Sequence, residues 1–149
     1  MLRVVEQSLT PEVYRVLREK VSFQPYAEED VAAALSKTLY TVEIRDGETT
    51  VGIARVVGDD RIVFFLKDVV VDPAYRDRGI GRMLMEAVFA YIRNRACENA
   101  YVGLMATPGT ERFYEKFGFI LRPAPGLGSG MVRFIHRNEM LQKEEVTYD

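Results

Sequence analysis

The 149-residue sequence has very little that could cross-link the chain or hold a metal: one cysteine, Cys97, and one histidine, His136. A single cysteine excludes an internal disulfide and makes a reducing compartment the natural one. With the carboxylates at no ligand spacing, these lone residues give no metal site. A Ser–His nucleophile pair would have to recruit His136 from a late strand, and no nucleophile elbow is present. No apolar run approaches the length of a membrane span, and the start M-L-R-V-V-E lacks the layout of a signal peptide. A formal net charge of −2 removes the electrostatic case for general nucleic-acid binding. The expectation is a cytoplasmic protein with no metal, no nucleic-acid partner and no membrane partner. The composition, 48% hydrophobic and 28% charged, is that of an ordinary soluble globular chain. The length suits one domain over residues 1–149.

Periodicity predicts the elements in order. Leu2 to Glu6 reads as a strand. Thr10 is a suitable N-cap before Pro11, and Val13, Val16 and Leu17 then form a helical stripe ending near Lys20. Val21 to Tyr26 is an apolar and aromatic loop broken by Pro25, in which Phe23 and Tyr26 suit either an acceptor pocket or a cover for the core. Glu28 to Leu35 suits a second helix with acids in its first turn. Thr38 to Arg45 and Thr50 to Val57 are strands around the hairpin signal Asp46-Gly47. After the turn Gly58-Asp59-Asp60 comes a strand from about Ile62 to Val71. A helix over Gly79 to Arg95 and a strand over Tyr101 to Ala106 complete a strand–helix–strand unit, which implies a parallel crossover. Thr110 to Lys116 is a short helix closed by Gly118. Phe119 to Leu121 and Met131 to Ile135 are candidate strands on either side of the Pro/Gly-rich loop Pro123 to Gly130. Residues 139–149 are a polar, frayed tail.

The stretch Asp68 to Met85, D-V-V-V-D-P-A-Y-R-D-R-G-I-G-R-M-L-M, organises the rest. A β-branched run enters a basic, Gly-containing turn and then a helix whose apolar face holds Ile80, Met83, Leu84, Ala87, Val88, Tyr91 and Ile92. A helix N-terminus offers free N–H groups and a positive dipole end, so it suits a phosphate. Glycines let a diphosphate approach the main chain, and Arg76, Arg78 and Arg82 add charge. The P-loop pattern G-x-x-x-x-G-K-S/T is absent. A dinucleotide fingerprint fails because Leu84 stands where its third glycine belongs, and the meander in front argues against a doubly wound sheet.

Arg76-x-x-Gly79-x-Gly81 resembles the signature R/Q-x-x-G-x-G/A of the GNAT superfamily of acetyl-CoA-dependent N-acetyltransferases. The context strengthens the resemblance. D-V-V-V-D-P-A-Y precedes the signature, and Phe113 to Phe119 (F-Y-E-K-F-G-F) matches the segment that closes the family's core. Asp68 to Val71 is also similar to the run in glucosamine-phosphate N-acetyltransferases, with Lys67 where those have glutamate. The resemblance implies an α/β (α+β) single-domain GNAT-like fold: a mixed, mostly antiparallel sheet with a central parallel β-α-β crossover and flanking helices. It implies acetyl-CoA as co-substrate, its pyrophosphate held by backbone amides of Arg78, Gly79, Ile80, Gly81 and Arg82 in the loop containing Arg76 and Asp77. The strand Val69, Val70, Val71 would pair with pantetheine through backbone groups and offer an amide to the thioester oxygen. Tyr114 would stand near the CoA sulfur as general acid. Thr110 occupies the position of a pantetheine-contacting asparagine. The family's Glu or His base is missing from the preceding strand, whose polar residues are Lys67 and Asp68; this leaves Asp68 as the candidate base, with a buried structural carboxylate as its other reading.

The activity implied is transfer of an acetyl group to a primary amine, on a small molecule, by direct attack in a ternary complex. A protein N-terminal or lysine acetyltransferase, and a non-catalytic acetyl-CoA-binding module, are the alternatives. Acceptor choice lies in the variable parts Val21 to Asp30 and Pro123 to Gly130. Dimers are common in the family, and the late strands would suit pairing across a homodimer.

Overall fold

Runs of β-branched residues separated by tight turns build most of the sheet. The computed structural model describes residues 1–137. Strands β1 (Leu2–Glu6), β2 (Tyr40–Asp46), β3 (Thr49–Gly58) and β4 (Val63–Val71) pair as an antiparallel meander. Between β1 and β2 the chain forms helices α1 (Pro11–Lys20) and α2 (Glu28–Ser36). Thr10 caps α1 as expected, its side chain accepting from Val13 N. After β4 come a 3-10 turn at Pro73–Tyr75, helix α3 (Ile80–Arg93), β5 (Tyr101–Gly103) and helix α4 (Glu111–Glu115). Strand β5 lies parallel to β4, giving the order β1-β2-β3-β4-β5. This is the mixed, mostly antiparallel sheet with a parallel β-α-β unit that the sequence implied.

Two apolar layers cover the sheet. On one face Ile80, Leu84, Met85, Val88 and Ile92 of α3 pack with Val42, Ile44, Val56, Phe64 and Leu66. On the other, Tyr14 and Leu17 of α1 and Val31 of α2 pack with Ile53 and Val70. Residues Met1–Phe119 form one compact unit, and the chain from Ile120 onward is a second.

The structure corrects three expectations. Strand β5 ends at Gly103 and not at Ala106, because β4 and β5 pair only from Val63↔Tyr101 to Phe65↔Gly103 before they separate. Neither Phe119–Leu121 nor Met131–Ile135 forms a strand among the described residues. Strand propensity reflects fit to a pleated, half-buried surface, and Met131, Val132, Phe134 and Ile135 are all exposed. In the second unit Ala124 and Leu127 close a turn with a pair of backbone bonds of 3.0 and 2.8 Å, and Arg122 Nε donates to Gly128 O at 2.6 Å. The tail expected over 139–149 lies outside the described residues.

One glycine of β3 lets the start of α3 lie close against the sheet. A Cβ on Gly52 of β3 would stand 2.6 Å from Ile80 Cγ2 and 3.3 Å from Leu84 Cδ1. The bare backbone there lets the first turn of α3 settle on the sheet. Overpacking of a tight core costs about 1–3 kcal/mol, so Gly52→Val is expected to lower stability by that amount in urea denaturation. An unchanged midpoint would contradict this packing.

Candidate active site

A one-residue irregularity in β4 builds the site. Ile53 pairs with Val70 and Arg55 with Lys67, so Ala54 alone stands opposite Asp68 and Val69. That is a β-bulge, and Asp68 within it takes a positive φ of 56°. One extra residue reverses which side chains face which side. Phe64 and Leu66 face α3, whereas beyond the bulge Val70 packs beneath α1. Asp68 is turned toward α1 with it.

There the carboxylate is fully engaged. Tyr14 Oη donates to Asp68 Oδ2 at 2.6 Å, Arg18 Nε to Oδ1 at 2.9 Å and Arg55 Nε to Oδ2 at 2.9 Å. Arg18 Nη1 also donates to Gln24 O at 2.7 Å, which ties the loop after α1 to the same cluster. The rings of Tyr14, Phe23 and Tyr26 lie 5.2, 5.5 and 5.1 Å from the Arg18 guanidinium carbon. Burial pushes the Asp68 carboxyl up, but the Tyr14 and Arg55 hydrogen bonds and the two arginine charges outweigh it and hold it below the usual aspartate range. A carboxylate so held is a poor proton acceptor. Its geometry is that of an anchor, which counts against the base role expected from the sequence.

Where β4 and β5 part, a cavity of about 220 Å³ opens, lined by Leu66, Lys67, Asp68 and Val69 from one strand and Leu104, Met105 and Thr107 beyond the other. Arg18, Phe23 and Gln24 close one side and Tyr114 another. Tyr114 is half-buried and held edge-on by Phe113 and Phe119, with ring centroids 5.1 and 6.0 Å away. Gly118, at φ 90°, ends α4 and lets Phe119 N turn back to Tyr114 O. Among the described residues no group hydrogen-bonds to the Tyr114 hydroxyl, and burial pushes its pKa up to about 12.

The basic loop lies at the start of α3. Asp77 and Gly79 both take positive φ, 63° and 77°. Gly79 is the N-cap, so no side chain caps the helix, and a Cβ there would meet nothing within 4 Å. The first amides of α3 therefore have no side-chain partner. The loop is tethered at its base. Asp72 Oδ1 accepts from Ala74 N at 2.9 Å and its Oδ2 from Lys20 Nζ at 2.8 Å. Tyr75 Oη donates to Asp46 Oδ2 at 2.8 Å, in the β2–β3 hairpin. Arg78 lies over the Tyr75 ring at 4.8 Å, Arg82 pairs with Glu86 at 3.1 Å, and Arg76 is exposed. Gly81 joins loop and site: a Cβ there would come 3.0 Å from Phe113 Cζ, beside Tyr114.

Of the residues expected to act, Asp68, Val69 and Tyr114 line one cavity. Val70 and Ile80 turn their side chains into the two cores, so each can offer only backbone. Thr110 does not line the cavity, and its hydroxyl donates to Thr107 O at 2.7 Å. Val71 is half-buried beyond the cavity. Phe23 and Gln24 belong to the loop Val21 to Asp30 in which acceptor choice is expected, and both line the cavity, whereas Tyr26 does not. Tyr14, Arg18, Arg55, Leu104, Met105 and Thr107 are not among the residues the sequence singles out, and the apolar run before Thr107 reads there as strand.

Removing one member of a buried ion cluster costs about 3–5 kcal/mol because the partners keep their charge. Asp68→Asn is expected to lose stability of that order at neutral pH. Because the folded carboxyl is depressed, its contribution is fully present above the unfolded pKa of about 3.9 and disappears as pH falls through the lower folded value. Wild type and variant should therefore converge in acid. Denaturation curves that stay equally far apart from pH 7 down to pH 2 would refute this.

The profile of the Acetyltransferase (GNAT) family matches residues 6–119. An uncharacterized N-acetyltransferase of Prochlorococcus marinus is 36% identical over 73 residues, 49% of this chain and 39% of that protein. Serotonin N-acetyltransferase 2, chloroplastic, of Oryza sativa subsp. japonica is likewise 36% identical over 73 residues, 49% of this chain and 36% of that protein. The chain thus matches less than half the length of these curated relatives. Among solved structures, a protein of meticillin-resistant Staphylococcus aureus described as a probable acetyltransferase superposes with a TM-score of 0.81 at 31% identity, covering 90% of this chain and 100% of that one. The chain belongs to the GNAT family of acetyltransferases.

Proposed function

We propose that the chain is an acetyl-CoA-dependent N-acetyltransferase that acetylates the primary amine of a small molecule by direct attack in a ternary complex. The observation that carries this reading is the cavity at the β4–β5 split, on which the bulged strand and Tyr114 converge. An acceptor amine would enter this cavity of about 220 Å³ beside the thioester, which suits a small molecule. The uncapped start of α3 fits a diphosphate: backbone amides from Gly79 to Arg82, open space over Gly79, and the exposed side chains of Arg76 and Arg78. Held there, acetyl-CoA would supply an acyl group and a thiol as leaving group.

The chain's own residues account for the rest. The bulge interrupts the ladder at Val69, so the β4 backbone beside the cavity can present an amide to a developing negative oxygen. Loss of one such donor typically costs about 100- to 1000-fold in rate. Tyr114 keeps its proton at Oη throughout the working range. With a pKa near 12 against about 8.5 for a thiol, complete proton transfer is uphill. The role that fits Tyr114 is a hydrogen-bond donor to the departing sulfur. Asp68 holds Arg18 and Tyr14 in place and leaves proton removal to solvent.

Release of CoA thiol with a panel of primary amines tests the reading. Binding of acetyl-CoA without turnover across the panel would favour a non-catalytic module. Tyr114→Phe should lower kcat about 10- to 100-fold, the worth of one strong hydrogen bond, while the affinity for acetyl-CoA changes little. Unchanged turnover would reject the donor role. Arg78→Glu with Arg82→Glu should weaken CoA itself, because the surface pair of Arg82 with Glu86 is worth only about 0.3–0.5 kcal/mol and leaves Arg82 available. Equal affinity by calorimetry would remove the phosphate assignment.

A further inference from the structure

The cavity at the strand split is unbalanced in charge. The charged residues that line it are Arg18, Lys67 and Asp68. Asp68 is the only carboxylate among them, and its two oxygens already serve Arg18, Arg55 and Tyr14. Two guanidinium groups therefore face one carboxylate, and Tyr14, a phenol pushed up to about 12 by burial and the Asp68 bond, stays neutral. Lys67 is exposed at the cavity and makes no ion pair among the described residues. Arg18 directs Nε and Nη1 to Asp68 and Gln24, and no described protein group takes its Nη2. The aromatic faces nearby are turned to Arg18 itself, with Tyr14, Phe23 and Tyr26 around it. They do not form a cage for a cationic guest.

We propose, resting on the acetyl-transfer reading above, that the acceptor is a small amine that also carries a carboxylate or phosphate, held by Arg18 and Lys67. A cleft of one sign with low-dielectric walls draws in the opposite charge, and guanidinium and ammonium groups are the natural partners of anionic oxygens. The space is shared: Val69 and Tyr114, which would flank the pantetheine arm and its sulfur, line the same cavity of about 220 Å³, so only a compact acceptor head fits beside the thioester. The same positive charges lower the pKa of an ammonium brought beside them. The acceptor amine thus sheds its proton more readily, in a cleft whose one carboxylate is already engaged.

Matched pairs of acceptors test this: ethanolamine phosphate against ethanolamine, and β-alanine against β-alaninamide. The anionic member of each pair is expected to have at least a tenfold higher kcat/KM. Lys67→Glu, a change at an exposed position, should reduce that preference at least tenfold. Calorimetry on the CoA-saturated protein, in which no acetyl group is present, should give the same ranking, with affinity for the anionic member falling as salt rises. Neutral members used equally well or better would overturn the proposal, as would a preference that survives Lys67→Glu. If no amine releases thiol but the CoA-saturated protein still favours the anionic members in a Lys67-dependent way, the acetyl-transfer reading fails and the anion site stands. If the pairs bind alike, the anion site fails whatever the turnover.

Discussion

A carboxylate removed from water is strongly destabilising unless its oxygens are matched by donors and opposite charge, and Asp68 meets that condition on every side. Tyr14 and Arg18 come from α1, Arg55 from β3, and Asp68 from the bulge of β4. The cluster therefore fixes the bulge, the position of α1 over the sheet and, through the Gln24 carbonyl, the loop that walls the cavity. Without the bulge, Asp68 would face the apolar α3 side. The bulge and the ion cluster each depend on the other.

A second set of constraints holds the basic loop to the same framework. Gly52 lets Ile80 press against the sheet, and Gly81 gives room to Phe113, whose ring abuts Tyr114. The position of Tyr114 thus depends on the same helix start whose amides have no side-chain cap. Asp72 and Tyr75 fasten the approach to that helix through Lys20 and Asp46. In physical terms, the basic loop and the cavity are joined by glycines at close contacts and by short polar links.

Much of this was legible in the sequence, for reasons specific to each part. The strand–loop–helix of Asp68 to Met85 shows itself by a change of hydrophobic period at two glycines, and Tyr114 by its place in F-Y-E-K-F-G-F. The bulge was not legible, because Val69-Val70-Val71 reads as a buried strand in either register. Arg18 and Arg55 carry no local signal, being 50 and 13 residues from Asp68 and joined to it only by the fold. That is why the sequence leaves Asp68 open between a base and a buried structural carboxylate. The run Leu104-Met105-Ala106 was read as strand because apolar content alone does not separate ladder from cavity wall. Met131 to Ile135 shows the converse, strand-forming residues with no strand among the described residues beside them.

Asp68 is a locked anion that ties α1, β3 and the bulge of β4 together. Its carboxyl titration, followed by carbon NMR on aspartate-labelled protein and assigned with Asp68→Asn, tests this most directly. A midpoint below the ordinary aspartate value of about 3.9 is expected, with no change between pH 5 and pH 8. A midpoint near neutrality, where an effective general base titrates, would contradict it.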